Sequence, residues 1–186
     1  MDKKLKIMRV LILFLLCAAC LSACNTDAGE KTQLTQEQIV AQIRTLESAL
    51  AQNLSQPAID TATADSLIDK AMRYANSFPQ DSLSPQFLFR AADVARGIGE
   101  QGLAVTLWGK VAKVYEGSRY APESLFLLAF TLDNDLRDTS RARQAYEEFL
   151  EQYPKHPLAN DARELLKVLQ SGKTPEEMIR EFQQQH

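Results

Sequence analysis

Along most of the chain apolar residues return every third or fourth position, the period of a helix with one buried face. The first such run follows "TQEQ", where Thr35 and Gln38 stand three apart as a capping box. Ile39, Ile43, Leu46, Leu50 and Leu54 then form one stripe, which predicts a helix over 35–54. That stripe either packs on the rest of the chain or pairs in a coiled coil, for which it holds few heptads. From residue 61 onward the pattern predicts helices over 62–77, 85–98, 101–116, 122–136, 139–153, 157–170 and 175–184. No stretch alternates convincingly at period two, so no strand is expected. The breakers are "FPQDSLSP", "GIGEQG", "EGSRYAP", "RDTS", "YPKHP" and "SGKTP". The fold class expected is all-α, with about seven or eight helices.

The punctuation repeats. Pro85, Pro122 and Pro157 each open a predicted helix, where the fixed φ fits and the missing N–H had no partner to lose. They are spaced 37 and 35 residues apart. Leu88, Ala91, Ala92 and Ala95 match Leu125, Leu128, Ala129 and Leu132, and a third copy gives Leu158, Asp161, Ala162 and Leu165. In the second helices Ala104, Trp108, Val111 and Tyr115 match Ala142, Tyr146, Phe149 and Tyr153 at a constant offset of 38.

Small residues at helix crossings, an aromatic four positions after the second of them and a closing proline resemble the tetratricopeptide repeat family. "ARQAYEEFLEQYP" carries the last three as Ala142, Tyr146 and Pro154, and "LIDKAMRYANSFP", ending at Pro79, resembles the second helix of a worn earlier copy. The resemblance covers roughly residues 62–170. It departs at Tyr115, which no proline follows, after the first crossing, where no copy has glycine, and in "NDLRDTS", which is one residue longer. It implies a tetratricopeptide-like α-solenoid of antiparallel helix pairs; the alternative is a plain helical bundle.

The N-terminus has a different character. Lys3, Lys4, Lys6 and Arg9 precede the apolar run Val10 to Ala19, which is short for a membrane span and reads as a secretory signal. "LSAC", Leu21 to Cys24, resembles a bacterial lipobox ending in the cysteine that is lipidated, with Cys20 a weaker second candidate. An ordinary signal peptide or a single anchor helix is the other reading. The expected organisation is a signal peptide over 1–23, a flexible tether over 24–34, an N-terminal helix over 35–60 and a repeat domain over 61–186. Cleavage before Cys24 removes four basic residues and Asp2, taking the net charge from −3 to −6. An acidic mature chain argues against nucleic acid as partner. Cys17 and Cys20 leave with the signal, so no disulfide, thiol nucleophile or cysteine metal site is expected. Membrane attachment would come from acyl chains on Cys24, and Asn25 after it is not the aspartate that retains some lipoproteins at the inner membrane. The expected address is therefore the bacterial envelope, at the outer membrane and facing the periplasm.

Candidate chemistry is sparse. His156 in "YPKHP" has only Tyr153 and Lys155 nearby, and the other histidine is His186, so neither a ligand set nor a base with its nucleophile can be named. A solvated turn histidine is expected. Glu147, Glu148, Glu151, Asp133, Asp135, Glu176 and Glu177 fall mostly on polar helix faces. "DNDLRD" lacks the glycine and final glutamate of a calcium loop, and "GIGEQG" follows a helix rather than the strand a dinucleotide fingerprint needs. "NLS" at Asn53 fits a glycosylation sequon, which a lipobox makes uninformative. No catalytic residue, metal or cofactor is expected, and the chain is not read as an enzyme.

The family resemblance implies a concave groove lined by Gln86, Phe89, Asp93 and Arg96, then Glu123, Phe126, Phe130 and Asp133, then His156, Ala159, Arg163 and Leu166. Three phenylalanines could grip a partner helix or extended segment, with Arg96 and Arg163 holding acidic groups. Either this groove is open, or helix 35–54 or 175–184 covers it. "AYEEFLEQYPKHPLANDARELL" is similar to envelope lipoproteins with divergent repeats, among them those of the β-barrel assembly machine and of the Tol-Pal system. That implies a scaffold binding other envelope proteins. The rival is a small-ligand or glycan binder, or a weakly glycan-active enzyme, in the same concavity. It calls for converging buried carboxylates or a tryptophan platform, and Trp108 is expected in the core.

Overall fold

The computed structural model describes residues 34–52 and 60–172, together with residues 177, 180, 183 and 184. Thr35–His186 belongs to one compact unit. Among the described residues all regular structure is helical: α1 (Gln36–Gln52), α2 (Thr61–Ser77), α3 (Leu83–Gly97), α4 (Gln101–Val114), α5 (Ala121–Asn134), α6 (Thr139–Gln152) and α7 (Ala159–Ser171). Each packs chiefly on the helix before and the helix after it, which is the contact pattern of a solenoid. The tetratricopeptide-like α-solenoid expected from the sequence is what these residues form. The expected signal, the tether up to residue 33, residues 53–59 of the expected N-terminal segment and most of the expected helix 175–184 lie outside the described residues.

Local chemistry starts the helices. The Thr35 N–H donates to Gln38 Oε1 at 2.8 Å and the Gln38 N–H to Thr35 Oγ1 at 3.3 Å, so "TQEQ" is a capping box in fact. Asp60 caps α2 through the amides of Ala62 and Thr63, and Asp138 caps α6 through that of Arg141. α1 packs on α2, with Ile43 fully buried, so its stripe is spent within the chain. Gln36 fastens its start, donating from Nε2 to Tyr74 Oη at 2.9 Å and to Asp81 Oδ2 at 2.6 Å.

One turn recurs three times between helix pairs. The N–H of Phe78, Tyr115 and Tyr153 donates to the carbonyl four residues back, that of Asp81, Ser118 and His156 to the carbonyl of the aromatic, and that of Ser84, Ala121 and Ala159 three back again. The copy with Glu116 in place of proline turns in the same way. These turns are 37 and 38 residues apart, whereas the prolines are 37 and 35. The prolines are therefore not equivalent: Pro85 and Pro122 lie inside the first turns of α3 and α5, and Pro157 lies before α7. The first amides of a helix are unpaired anyway, so proline marks a start only to within a turn. In the third copy Ala159 takes the place of Ala121, and Ala162 that of Ser124.

The turns inside the pairs need a left-handed residue. Gly99 has φ +89° before Glu100, and Arg137 has φ +56° before Asp138. The first is the expected turn at "GIGEQG"; in the second an L side chain carries the cost. Arg137→Gly is expected to raise stability by about 1 kcal/mol, and Gly99→Ala to lower it by a similar amount, measured by urea unfolding. A Cβ at Gly99 meets nothing within 4 Å, so that loss would be conformational rather than steric.

Candidate functional site

α3 and α5 open successive helix pairs, and the residues the sequence assigned to a groove link them directly. Arg96 donates from Nε to Asp135 Oδ2 at 2.6 Å and from Nη2 to Oδ1 at 3.3 Å. Its guanidinium carbon stands 5.3 Å from the Phe130 ring centre. Phe130 stacks on Phe126 at 6.4 Å between centroids, and Phe126 meets Phe149 edge-on at 5.7 Å and Tyr146 at 6.0 Å. Phe149 meets the His156 ring at 5.7 Å. A row from Arg96 through Phe130, Phe126 and Phe149 to His156 thus runs from α3 to the turn before α7.

The row is graded in exposure. Phe126, 9% exposed, forms its floor, and Phe130 is half-buried; Phe89, also 9% exposed, lies outside the row, in the other part of the core, 5.3 Å from the Tyr120 ring. Gln86 and Leu166 are half-buried, Ala159 is buried, and Glu123 and Arg163 are exposed. Arg163 donates to Asn160 Oδ1 and to the Pro154 carbonyl, which ties it to the turn. His156 is not the fully solvated residue expected: it is half-buried against Phe149, and its Nδ1 accepts the Leu158 N–H at 3.3 Å. Of the two segments that could cover these rings, α1 adds no side chain to the cluster holding Phe126 and Phe130. The other, 175–184, falls largely outside the described residues.

The charged groups are unevenly served. Burial pushes the Asp93 carboxyl up to about 6; Arg90 and Arg96 pull it down and Glu123 pushes it further up. Burial also raises Asp133, against the pull of Arg137. Asp135 is exposed, as expected, but its carboxylate is not free: it holds Arg96, and its side chain is 23% exposed. These two residues are 39 apart, and no local pattern in the sequence pairs them. Trp108 is 1% exposed, in the core as expected. Among the described residues no group of three or more His, Cys, Asp or Glu side chains could hold a metal ion.

The Asp93 shift has a sign that can be measured. An unfolded aspartate titrates near 3.9, and here the folded group titrates near 6, so the native state holds the proton more tightly. Its contribution is full below about pH 4 and is lost as pH rises through about 6. Asp93→Asn is therefore expected to raise the thermal midpoint at pH 7.5 and to leave it unchanged near pH 4, as followed by circular dichroism.

No curated protein matches the chain. The tetratricopeptide repeat family model matches residues 123–156, which run from the first turn of α5 through α6 to His156 and so cover one helix pair of the stack and every ring of the aromatic row, leaving out Arg96.

Proposed function

We propose that the chain is a non-catalytic adaptor of a bacterial envelope, anchored through acyl chains on Cys24 at the outer membrane, facing the periplasm and holding other envelope proteins along the α3–α5–α7 side. Helical repeats of this kind offer extended surfaces to protein partners. The observation that carries the reading is the row from Arg96 to His156. Its half-buried Phe130 ring lies between a guanidinium and buried aromatic rings, an amphipathic anchor suited to a partner helix or strand. The anchor rests on "LSAC" and the choice of membrane on Asn25, both among residues outside those described. Among the described residues no helix is long and apolar enough to cross a membrane.

Phe126 packs on Tyr146 and Phe149, so truncating it would hollow the core; Phe130 is the cleaner probe. Phe130→Glu is expected to abolish capture of envelope proteins by the purified chain with its helical signal intact, while Phe130→Tyr retains capture. Unchanged capture by Phe130→Glu would sink the groove assignment. For the anchor, Cys24→Ser is expected to stop incorporation of labelled palmitate and to move the protein from the membrane to the soluble fraction.

A further inference from the structure

The turn hydrogen bonds that align α3 with α5 also align α5 with α7, and so say which α7 residues share a face with the aromatic row. Ala121 and Ala159 hold the same place in the turn, so Glu123, Phe126 and Phe130 correspond to Asp161, Glu164 and Val168. Ala159 and Ala162 are buried, as Ala121 and Ser124 are in the same places, whereas Val168 is 38% exposed. Val168 and the half-buried Phe130 therefore form an apolar strip on the open side of α5 and α7. The charges beside that strip are of one sign. Glu123, Asp161 and Glu164 are exposed, and none is in an ion pair among the described residues. Glu164 lies one turn and Asp161 two turns before Val168, as Glu123 lies two turns before Phe130. Glu123 and Asp161 also suit the dipole of their first turns, but Glu164 lies beyond it. The nearby cations are engaged elsewhere. Arg96 holds Asp135, and Arg163 is tied to Asn160 and the Pro154 carbonyl. Arg163 and Lys167 take the places of Leu125 and Ala129, on a different flank of the helix from Val168.

We propose that the occupant of the α5–α7 groove is a basic amphipathic segment of a partner protein, its apolar side on Phe130 and Val168 and its lysine or arginine side chains on Glu123, Asp161 and Glu164. The inference rests on the adaptor reading and names the partner's chemistry, which is opposite in charge to the acidic groups that the sequence led us to expect. Lysine and arginine suit such a rim, because their aliphatic stems cross apolar surface while their charged ends reach past it. An anionic lipid surface or a nucleic acid would meet like charge here.

Two synthetic peptides test the proposal, one with leucines at helical spacing and lysines on the other face, the second with glutamate for each lysine. Fluorescence anisotropy with the full chain at low salt is expected to show saturable binding of the lysine peptide that weakens as salt is added, and none of the glutamate peptide. Asp161→Asn combined with Glu164→Gln is expected to weaken the lysine peptide about tenfold and to flatten its salt dependence. Val168→Ser is expected to weaken it by a smaller factor and to leave the salt dependence unchanged. All three side chains are exposed, so the circular dichroism of both variants should match that of the parent. A lysine peptide of the same composition with its leucines scattered is expected to bind more weakly. The proposal is overturned if the glutamate peptide binds as tightly as the lysine peptide, if the scattered peptide does, if the neutralised variant binds unchanged, or if no peptide binds. Binding of the glutamate peptide alone leaves the adaptor reading standing, whereas unchanged capture of envelope proteins by Phe130→Glu removes both.

Discussion

Helices can stack in pairs at close range only where side chains withdraw from the crossings, and that constraint governs the rest of the molecule. Ala91, Ala92, Ala95, Ala104, Ala129 and Ala142 are all fully buried, and around them Trp108, Tyr146 and Phe149 fill the spaces that the alanines leave. Small and large must alternate in register for the interior to reach close packing. The recurrent turn shows how flexibly this can be met. With Phe78 in the place of Tyr115, the position of Trp108 falls on Ala71, that of Ala104 on Leu67 and that of Val111 on Tyr74. In α2 the bulk has moved along the helix, yet all three residues stay buried. Summed volume, rather than a fixed residue at each position, is what the stack conserves.

Stacking also sets where contacts occur. Because each helix leans on its sequence neighbours, the two halves of the core meet through few residues, and Leu127 and Leu128 pack on both. Gly109 belongs to the same junction, where a Cβ would stand 3.3 Å from Leu128 Cδ1. A side chain at 109 would therefore need the tip of Leu128 to give by a few tenths of an ångström.

What could be read from the sequence divides along the same physical line. Helix number, the Thr35–Gln38 box and the offset of 38 between α4 and α6 were legible, because period, capping and crossing chemistry are local. The register of the third copy was not, since any position in a first turn accepts proline. Nor was the bond between Arg96 and Asp135: two charged side chains on polar helix faces give no sign that a solenoid will bring them to 2.6 Å. The candidate groove residues were placed by repeat position alone. Their grading into floor and rim, with Phe126 nearly buried and Phe130 half-open, depends on how α6 leans on α5, which periodicity does not encode.

The repeat supplies its own control for deciding which of these residues serve the fold. By the turn register Ser84 corresponds to Ala121, so Phe89 corresponds to Phe126, and each is 9% exposed, as expected of residues doing one packing job twice. The same register places Asp93 opposite Phe130. A fold that accepts phenylalanine at this position in α5 has no packing need for a carboxylate in α3, and burial raises that carboxylate's proton affinity, a change that disfavours the folded state at neutral pH. A group that lowers stability where its counterpart in the next repeat does not is a group whose presence packing fails to explain. Asp93 lines a cavity beside α3 and Phe130 stands in the aromatic row, with Arg96 touching both regions through Asp135 and the Phe130 ring. The departure from the repeat and the departure from ordinary burial coincide at one place on the α3–α5 surface, and packing accounts for neither.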